Sequence, residues 1–173
     1  MDKLEKLRKA VDNAIDVISD VIKYYPKTAE YELKKCAYNV IADWYADYPQ
    51  KSYSRKGDLF HAFKINTNTN GELWEVEFGP EFMEADHHQD NDFIYENSFI
   101  EGYHGGSISE RMGIDVPRWR TPISYYKHWY LEAPQSFSPY ERAKEEMQKK
   151  SDELDNEIRE IVGKAIKQIR DNK

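Results

Sequence analysis

The sequence predicts an α+β protein in which a small antiparallel β-sheet is flanked by N-terminal helices and a long C-terminal helix. Aliphatic residues recur every three or four positions near both ends of the 173-residue chain, which indicates amphipathic helices. Two alternating runs in the middle are separated by an asparagine-rich turn, which indicates a hairpin. We therefore expect an α+β core domain over residues 1–139 and a C-terminal amphipathic helix over residues 140–173.

Two helices are predicted before the sheet. The first runs from residue 2 to about 24, and Pro26 is expected to end it. Thr28 is expected to cap a second helix over residues 29–47, which Tyr48-Pro49 stops because the residue before proline avoids the helical conformation. One apolar stripe marks the first helix: Leu4, Leu7, Val11, Ile15, Ile18 and Ile22.

A β-hairpin is predicted from residues 59–65 and 72–78. The Asn70-Gly71 dipeptide between them is a strong hairpin signal. Alternation at period two assigns the residues of the second strand to opposite faces. The buried face is expected to hold Trp74, Val76 and Phe78, and the other face Glu75 and Glu77.

The rest of the chain is predicted as loops, a short strand and one long helix. Residues 81–92 are acidic and rich in histidine, which favours a loop, and residues 93–95 are expected to add a third strand. An irregular segment rich in aromatic residues extends to Pro139. Ser138-Pro139 resembles a cap followed by a first-turn proline, so the last helix should start there. At about 45 Å, it is too long for the sheet to cover, so part of it should project or pack on the N-terminal helix or another chain.

Composition excludes several classes of protein. The net charge of −7 argues against a nucleic-acid binder that depends on phosphate neutralisation. The single cysteine, Cys36, cannot form an internal disulfide and fits a reducing compartment, where a small buried residue is the expected role. No apolar run approaches the roughly 20 residues that span a bilayer. The N-terminus lacks a signal-peptide core, so we expect an intracellular site of synthesis.

One cluster suggests metal chemistry. Asp86-His87-His88 is followed by Asp90 and Asp92, and these side-chain types bind zinc, manganese and iron. No apolar strand precedes the cluster to hold it rigid. An acidic loop without a metal or cofactor is therefore the favoured interpretation, and a small metal-dependent hydrolase is the alternative.

Other motifs with catalytic associations have simpler explanations. His104-Gly105-Gly106 resembles the oxyanion-hole glycines of esterases, but the chain has no Gly-x-Ser-x-Gly elbow, so a tight turn is favoured. Glu75 and Glu77 share the expected solvated or partner-facing side of a strand, so a structural role is favoured over acid–base catalysis. No glycine-rich phosphate-binding loop occurs. We therefore expect a protein that is not an enzyme.

The segment from residue 117 to 130 is the predicted partner-binding surface. The cluster Arg118-Trp119-Arg120, near Lys127, combines cations with an aromatic ring, and in an acidic chain it favours a protein interface over nucleic acid. Aromatic side chains are costly to leave in water, because each fully buried one contributes on the order of 2 kcal/mol. The residues predicted to bind a partner are Trp119, Tyr125, Tyr126 and Trp129.

Four segments follow one another in a distinctive order between residues 29 and 106. They are Tyr48-Pro49 after a helix, Arg55-Lys56-Gly57-Asp58-Leu59, Trp74 to Gly79, and Tyr95-Glu96 with Gly102, Gly105 and Gly106. This order resembles the head–tail joining and tail-completion proteins of tailed bacteriophages, also described as minor capsid proteins. Lys56 stands where that family usually has threonine in a Thr-Gly-x-Leu segment.

The resemblance implies a structural protein of the phage neck. Such a protein would form a ring of copies that joins the portal or connector of the head to the tail, without a membrane, and with DNA contacted only as it passes through. It would be located in the virion and, during assembly, in the host cytoplasm. The segment of residues 117–130 and the long terminal helix would then make subunit contacts. Two alternatives remain at this point: the metal-dependent hydrolase and an intracellular helical adaptor.

Overall fold

The protein is described by a computed structural model that covers residues 3–47, 57–68, 72–83, 91–103 and 135–172. Two long helices dominate it, and a two-stranded antiparallel sheet lies between them in the chain, in agreement with the predicted α+β class. The main elements in chain order are α1 (Lys3–Asp47), β1 (Phe63–Thr67), β2 (Trp74–Phe78), α2 (Asn91–Ile94) and α3 (Pro139–Asp171).

The chain forms two compact units, and both long helices contribute to each of them. The first unit comprises residues 1–34, 65–75 and 147–173, and the second comprises residues 35–64 and 76–146.

The prediction of two N-terminal helices is wrong, because α1 is one helix of 45 residues with Pro26 inside it. Proline lacks the N–H that would bond to the carbonyl four residues earlier, yet neighbouring turns and burial can sustain the helix across that gap. Pro26 is buried, as are Ala29 and Leu33 in the turns that follow. Thr28 is not a cap: its hydroxyl donates to the Tyr24 carbonyl at 3.4 Å, a bond made within a continuing helix.

The second long helix, α3, packs against α1. Packing on the N-terminal helix was one of the arrangements predicted for it. In the first unit, Lys150 Nζ lies 4.0 Å from a carboxylate oxygen of Glu32. In the second unit, Arg142 forms a 3.2 Å ion pair with Asp43. Higher residue numbers in α3 face lower numbers in α1, so the helices are antiparallel. The start of α3 is also confirmed, since the Glu141 N–H donates to the Ser138 hydroxyl at 3.1 Å.

The hairpin has the predicted faces but shifted strand bounds. The Asn68 N–H donates to the Leu73 carbonyl at 2.9 Å, and the Gly79 N–H donates to the Ala62 carbonyl at 3.1 Å. These two bonds set an antiparallel register in which Thr67 lies opposite Trp74. Trp74 is buried, whereas Glu75 and Glu77 on the other face are exposed, so the predicted orientation is confirmed.

Two strand predictions are wrong. Residues 59–61 belong to a 3-10 helix (Asp58–His61) that starts after Gly57, whose φ of 80° suits only glycine without strain. The turn places Leu59 in the core and leaves His61 exposed. Residues 93–95 do not form a third strand, because α2 continues directly into a π-helical stretch (Tyr95–Ile100).

The first unit buries Leu33 and several smaller residues of α1, and it leaves most of the predicted apolar stripe in solvent. Its core includes Ala10, Ala14 and Val21 of α1, with Leu154 and Ala165 of α3. The indole of Trp74 donates from Nε1 to the Ser151 hydroxyl at 3.0 Å, which fixes β2 to α3. Most of the predicted stripe of the first helix is exposed instead: Leu4, Val11, Ile15, Ile18 and Ile22.

Candidate interaction surface

The second unit is built around a cluster of aromatic side chains. Phe78 of β2 lies opposite Phe63 of β1, and its ring centroid is 6.1 Å from that of Phe63 and 5.2 Å from that of Tyr140. Phe99 is completely buried, and its centroid lies 6.0 Å from that of Tyr140. These tilted and edge-to-face contacts link the hairpin, the π-helical stretch and the first turn of α3 into one rigid base.

This base holds both ends of the segment that contains the predicted partner-binding residues. The chain enters the segment after Tyr103 and returns at Gln135, and these two residues form an isolated antiparallel bridge. The Tyr103 N–H donates to the Asn97 carbonyl at 2.9 Å, and the Ser136 N–H donates to the Gly102 carbonyl at 3.0 Å. Tyr103 and Gln135, the described residues on either side of residues 104–134, are therefore adjacent.

Gly102 is the central residue of that support. Its carbonyl accepts a second hydrogen bond, of 3.1 Å, from the buried Trp44 indole. Its φ of 75° is in the left-handed region, and a Cβ added there would lie 2.7 Å from the Phe137 carbonyl carbon and closer still to its oxygen. Only glycine allows this approach of two backbone segments. The family resemblance includes a glycine here, but no local pattern in the sequence indicates the contact with Trp44.

Polar contacts attach the returning chain to the end of α1. The Gln135 side-chain amide donates to the Glu101 carbonyl at 2.8 Å. The Ser136 hydroxyl donates to a carboxylate oxygen of Asp47. Arg142 stacks over the Phe137 ring at 4.6 Å from its centroid, in addition to its ion pair with Asp43. The sequence analysis did not predict these contacts, because most of them join residues that are far apart in the chain.

The predicted partner-binding residues Trp119, Tyr125, Tyr126 and Trp129 lie outside the described residues. The same is true of the basic residues around Trp119 and of His104-Gly105-Gly106. What the structure adds is the fixed position of the two ends of their segment. A segment with both ends clamped loses less conformational entropy when it binds a partner than one attached at a single end.

The proposed metal cluster also falls mainly outside the described residues. Asp86-His87-His88 and Asp90 belong to residues 84–90, while Asp92 is described and exposed. Among the residues that the structure describes, no three histidine, cysteine or carboxylate side chains come together as a metal site. The loop interpretation therefore stays a prediction.

Tyr95 is a buried titratable side chain of the second unit. Burial, followed by the charges of Tyr140, Glu81 and Glu96, raises its pKa from 10.0 to about 12. It lies in the π-helical stretch beside the buried side chains of Asn97 and Ser98. A phenol that keeps its proton to such high pH is a poor general base near neutral pH. We assign Tyr95 to the rigid base.

Comparison of the chain with protein-family models, curated proteins and solved structures found no match. Within the described ranges, neither long helix has a stretch apolar enough to cross a bilayer.

Proposed function

We propose that this chain is a structural protein of the tailed-bacteriophage neck, where a ring of copies joins the portal or connector of the head to the tail. The proposal rests on the order of sequence segments that resembles head–tail joining proteins. In it, residues 104–134 supply the main contacts with neighbouring subunits or with other neck and tail proteins. DNA would be contacted only as it passes through the ring.

The single observation that best supports the proposal is that residues in the segments of the resemblance shape the backbone and the core of this chain. Gly57 has a left-handed conformation and Leu59 is 2% exposed, so the Gly-x-Leu step both turns the chain and anchors it. Gly102 permits the close backbone contact at the base of residues 104–134. A motif whose residues carry the fold fits a scaffold role, since no reactive side chain is needed.

The pairing of the residues on either side of residues 104–134 also fits a scaffold. A ring subunit must present a contact surface whose position is fixed before assembly, since a mobile surface would lose affinity on ordering. The bridge between Tyr103 and Gln135 provides fixed ends on an aromatic core. In the virion, the protein would act without a cofactor and without catalysis.

Assembly of phage particles tests the proposal. We expect the double variant Trp119→Ala/Trp129→Ala to stay folded by circular dichroism but to be absent from purified particles. Tyr31→Ala is the control, because Tyr31 is an aromatic residue that is 65% exposed on α1 and lies outside residues 104–134. Incorporation of the control and loss of the double variant support the proposal.

Two outcomes would contradict it. The first is incorporation of the double variant at the level of the unmodified chain, and the second is the absence of the protein from particles altogether. The hydrolase alternative has its own signature: stoichiometric zinc or manganese in purified protein, lost in His87→Ala/His88→Ala. We expect that variant to keep both its stability and its assembly.

A further inference from the structure

The chain before residues 104–134 is held by buried contacts. The carbonyl of the buried Gly102 accepts from the indole of Trp44, which is 3% exposed. The Tyr103 N–H donates to the carbonyl of Asn97, which is 8% exposed. Hydrogen bonds in such a setting are costly to break, because a buried donor loses its partner without gaining water in exchange.

The chain after residues 104–134 is held at the surface instead. We call Gln135, Ser136 and Phe137 the return strap. The Gln135 side chain donates to the Glu101 carbonyl, and the Ser136 hydroxyl donates to Asp47. Both of these hydrogen bonds are exposed to solvent. Exposed polar contacts contribute little to stability, because water replaces them at small cost.

The return strap lies directly over Gly102. The Ser136 N–H donates to the Gly102 carbonyl, and a Cβ on residue 102 would lie 2.7 Å from the carbonyl carbon of Phe137. A carbonyl oxygen has two lone pairs, so that of Gly102 accepts from Ser136 and from the Trp44 indole independently. If the strap leaves, the buried bond from Trp44 remains.

Arg142 of α3 covers the outer side of the return strap. Its guanidinium carbon is 4.6 Å from the centroid of the Phe137 ring, and one of its nitrogens is 3.2 Å from a carboxylate oxygen of Asp43. The side chains of Arg142 and Asp43 are 45% and 60% exposed. An ion pair and a cation–π contact at such an exposed site hold the strap only weakly.

The end of α1 favours the closed position of the return strap. Asp47 is the last residue of α1, and the last turn of this helix has no basic residue. A carboxylate is unfavourable at the C-terminal end of a helix, which carries a partial negative charge. The Ser136 hydroxyl donates to this carboxylate and so reduces the unfavourable interaction.

The cap of α3 sets the far limit of the return strap. The Ser138 hydroxyl accepts from the Glu141 N–H at 3.1 Å, and its carbonyl accepts from the Arg142 N–H at 3.2 Å. Pro139 is completely buried. These contacts are made within α3 and its own core, so they do not depend on the strap.

We infer that the return strap opens and closes as a local unit while Tyr103 and α3 stay in place. The closed form is the one described above, and it is the more populated of the two. Opening moves the point at which residues 104–134 rejoin the fold from Gln135 to Ser138. The tethered chain gains three residues, or roughly 10 Å of reach. A partner that needs this reach would select the open form. The inference concerns the second unit alone and does not depend on the proposed function.

Hydrogen exchange of single amides, measured by NMR on the full chain, is the first test. The Ser136 amide should be at least about tenfold less protected than the Tyr103 amide after correction for intrinsic rates, because only Ser136 is released by opening of the strap. Urea below the unfolding transition should accelerate exchange at Tyr103 and leave Ser136 nearly unchanged, since opening of the strap exposes little surface. Equal protection of the two amides, or equal acceleration by urea, overturns the inference.

Two substitutions form the second test. Arg142→Ala should lower the protection of the Ser136 amide by roughly two- to fivefold, because it removes the contact with Phe137. Ser151→Ala is the control, since it removes the hydrogen bond from Trp74 in the first unit and leaves every contact of the strap in place. It should not change the protection of Ser136. An unchanged Ser136 in Arg142→Ala overturns the inference, and so does a loss of protection in Ser151→Ala, which would show that Ser136 exchanges only when the whole protein unfolds.

Discussion

Replacement of Gly102 by alanine should destabilise the protein strongly, because this residue combines a left-handed conformation with a backbone contact. Its φ is 75°, and the new Cβ would lie 2.7 Å from the Phe137 carbonyl carbon, nearer to the carbonyl oxygen, and 3.2 Å from the Ser138 nitrogen. These are backbone atoms, so no side-chain rotation relieves the contact. The chain would have to separate at the base of residues 104–134.

The expected loss of stability follows from two contributions. A residue with a Cβ in the left-handed region costs about 1–2 kcal/mol. Displacement of the Gly102 carbonyl weakens its bonds from the Trp44 indole and the Ser136 N–H, and a buried donor left without its partner costs about 1–3 kcal/mol. Together they should lower the free energy of unfolding by roughly 3 kcal/mol, a large share of the total for a domain of this size.

Urea denaturation followed by circular dichroism measures this loss, and a second glycine is the control. Gly163 lies inside α3, and a Cβ there would meet no atom within 4 Å. Gly163→Ala should therefore raise the free energy of unfolding by about 0.5–1 kcal/mol, since alanine favours a helix. Opposite signs for the two substitutions support the geometry. A Gly102→Ala variant within about 0.5 kcal/mol of the unmodified protein would refute it.

Three further outcomes are expected. The free energy of unfolding should fall as pH rises from 10.0 to about 12, because the folded protein then retains the Tyr95 proton that the unfolded chain has lost. Tyr95→Phe should flatten this part of the pH profile, which urea denaturation at each pH measures. Ser151→Ala should cost about 1–2 kcal/mol in thermal or urea unfolding, since it removes the acceptor of the Trp74 indole, and an unchanged midpoint would contradict that role. Glu75→Gln should change stability by less than about 0.5 kcal/mol, because the carboxylate is on the exposed face of β2.

The sequence predicted the elements that depend on local pattern. Period-two alternation identified β2, and it assigned Trp74 to the core and Glu75 and Glu77 to solvent, because adjacent residues in a strand point to opposite faces. The start of α3 at Ser138-Pro139 was also predictable, since the cap and the first-turn proline affect only the residues next to them. Such signals need no knowledge of the tertiary fold.

Pro26 shows where local pattern is insufficient. The rule that proline ends a helix reflects one missing hydrogen bond and one steric contact, worth about 3 kcal/mol. That cost can be offset when the turns on both sides of the proline are buried by other parts of the chain. Ala29 and Leu33 are completely buried just beyond Pro26, so tertiary packing stabilises the turns that follow it. The outcome depends on contacts that the sequence does not display.

The candidate interaction surface was predictable only in part, for a related reason. The aromatic residues between 117 and 130 are visible in the sequence, but their support depends on Trp44 meeting Gly102 across 58 positions of chain. The residues around Trp44 and Gly102 form no local pattern that predicts this contact. A glycine in the sequence indicates freedom of the backbone, and only the fold reveals that Gly102 is used for a close approach.

The aliphatic stripe of α1 that the sequence analysis identified illustrates a further limit of periodicity. Spacings of three and four residues show that Val11, Ile15, Ile18 and Ile22 share one side of a helix, but they do not show which chain covers that side. In the structure, Ala10, Ala14 and Val21 are buried on another side of α1, whereas the stripe is exposed. Hydrophobic periodicity therefore predicts a helix and its apolar side, while the tertiary fold decides whether that side is buried.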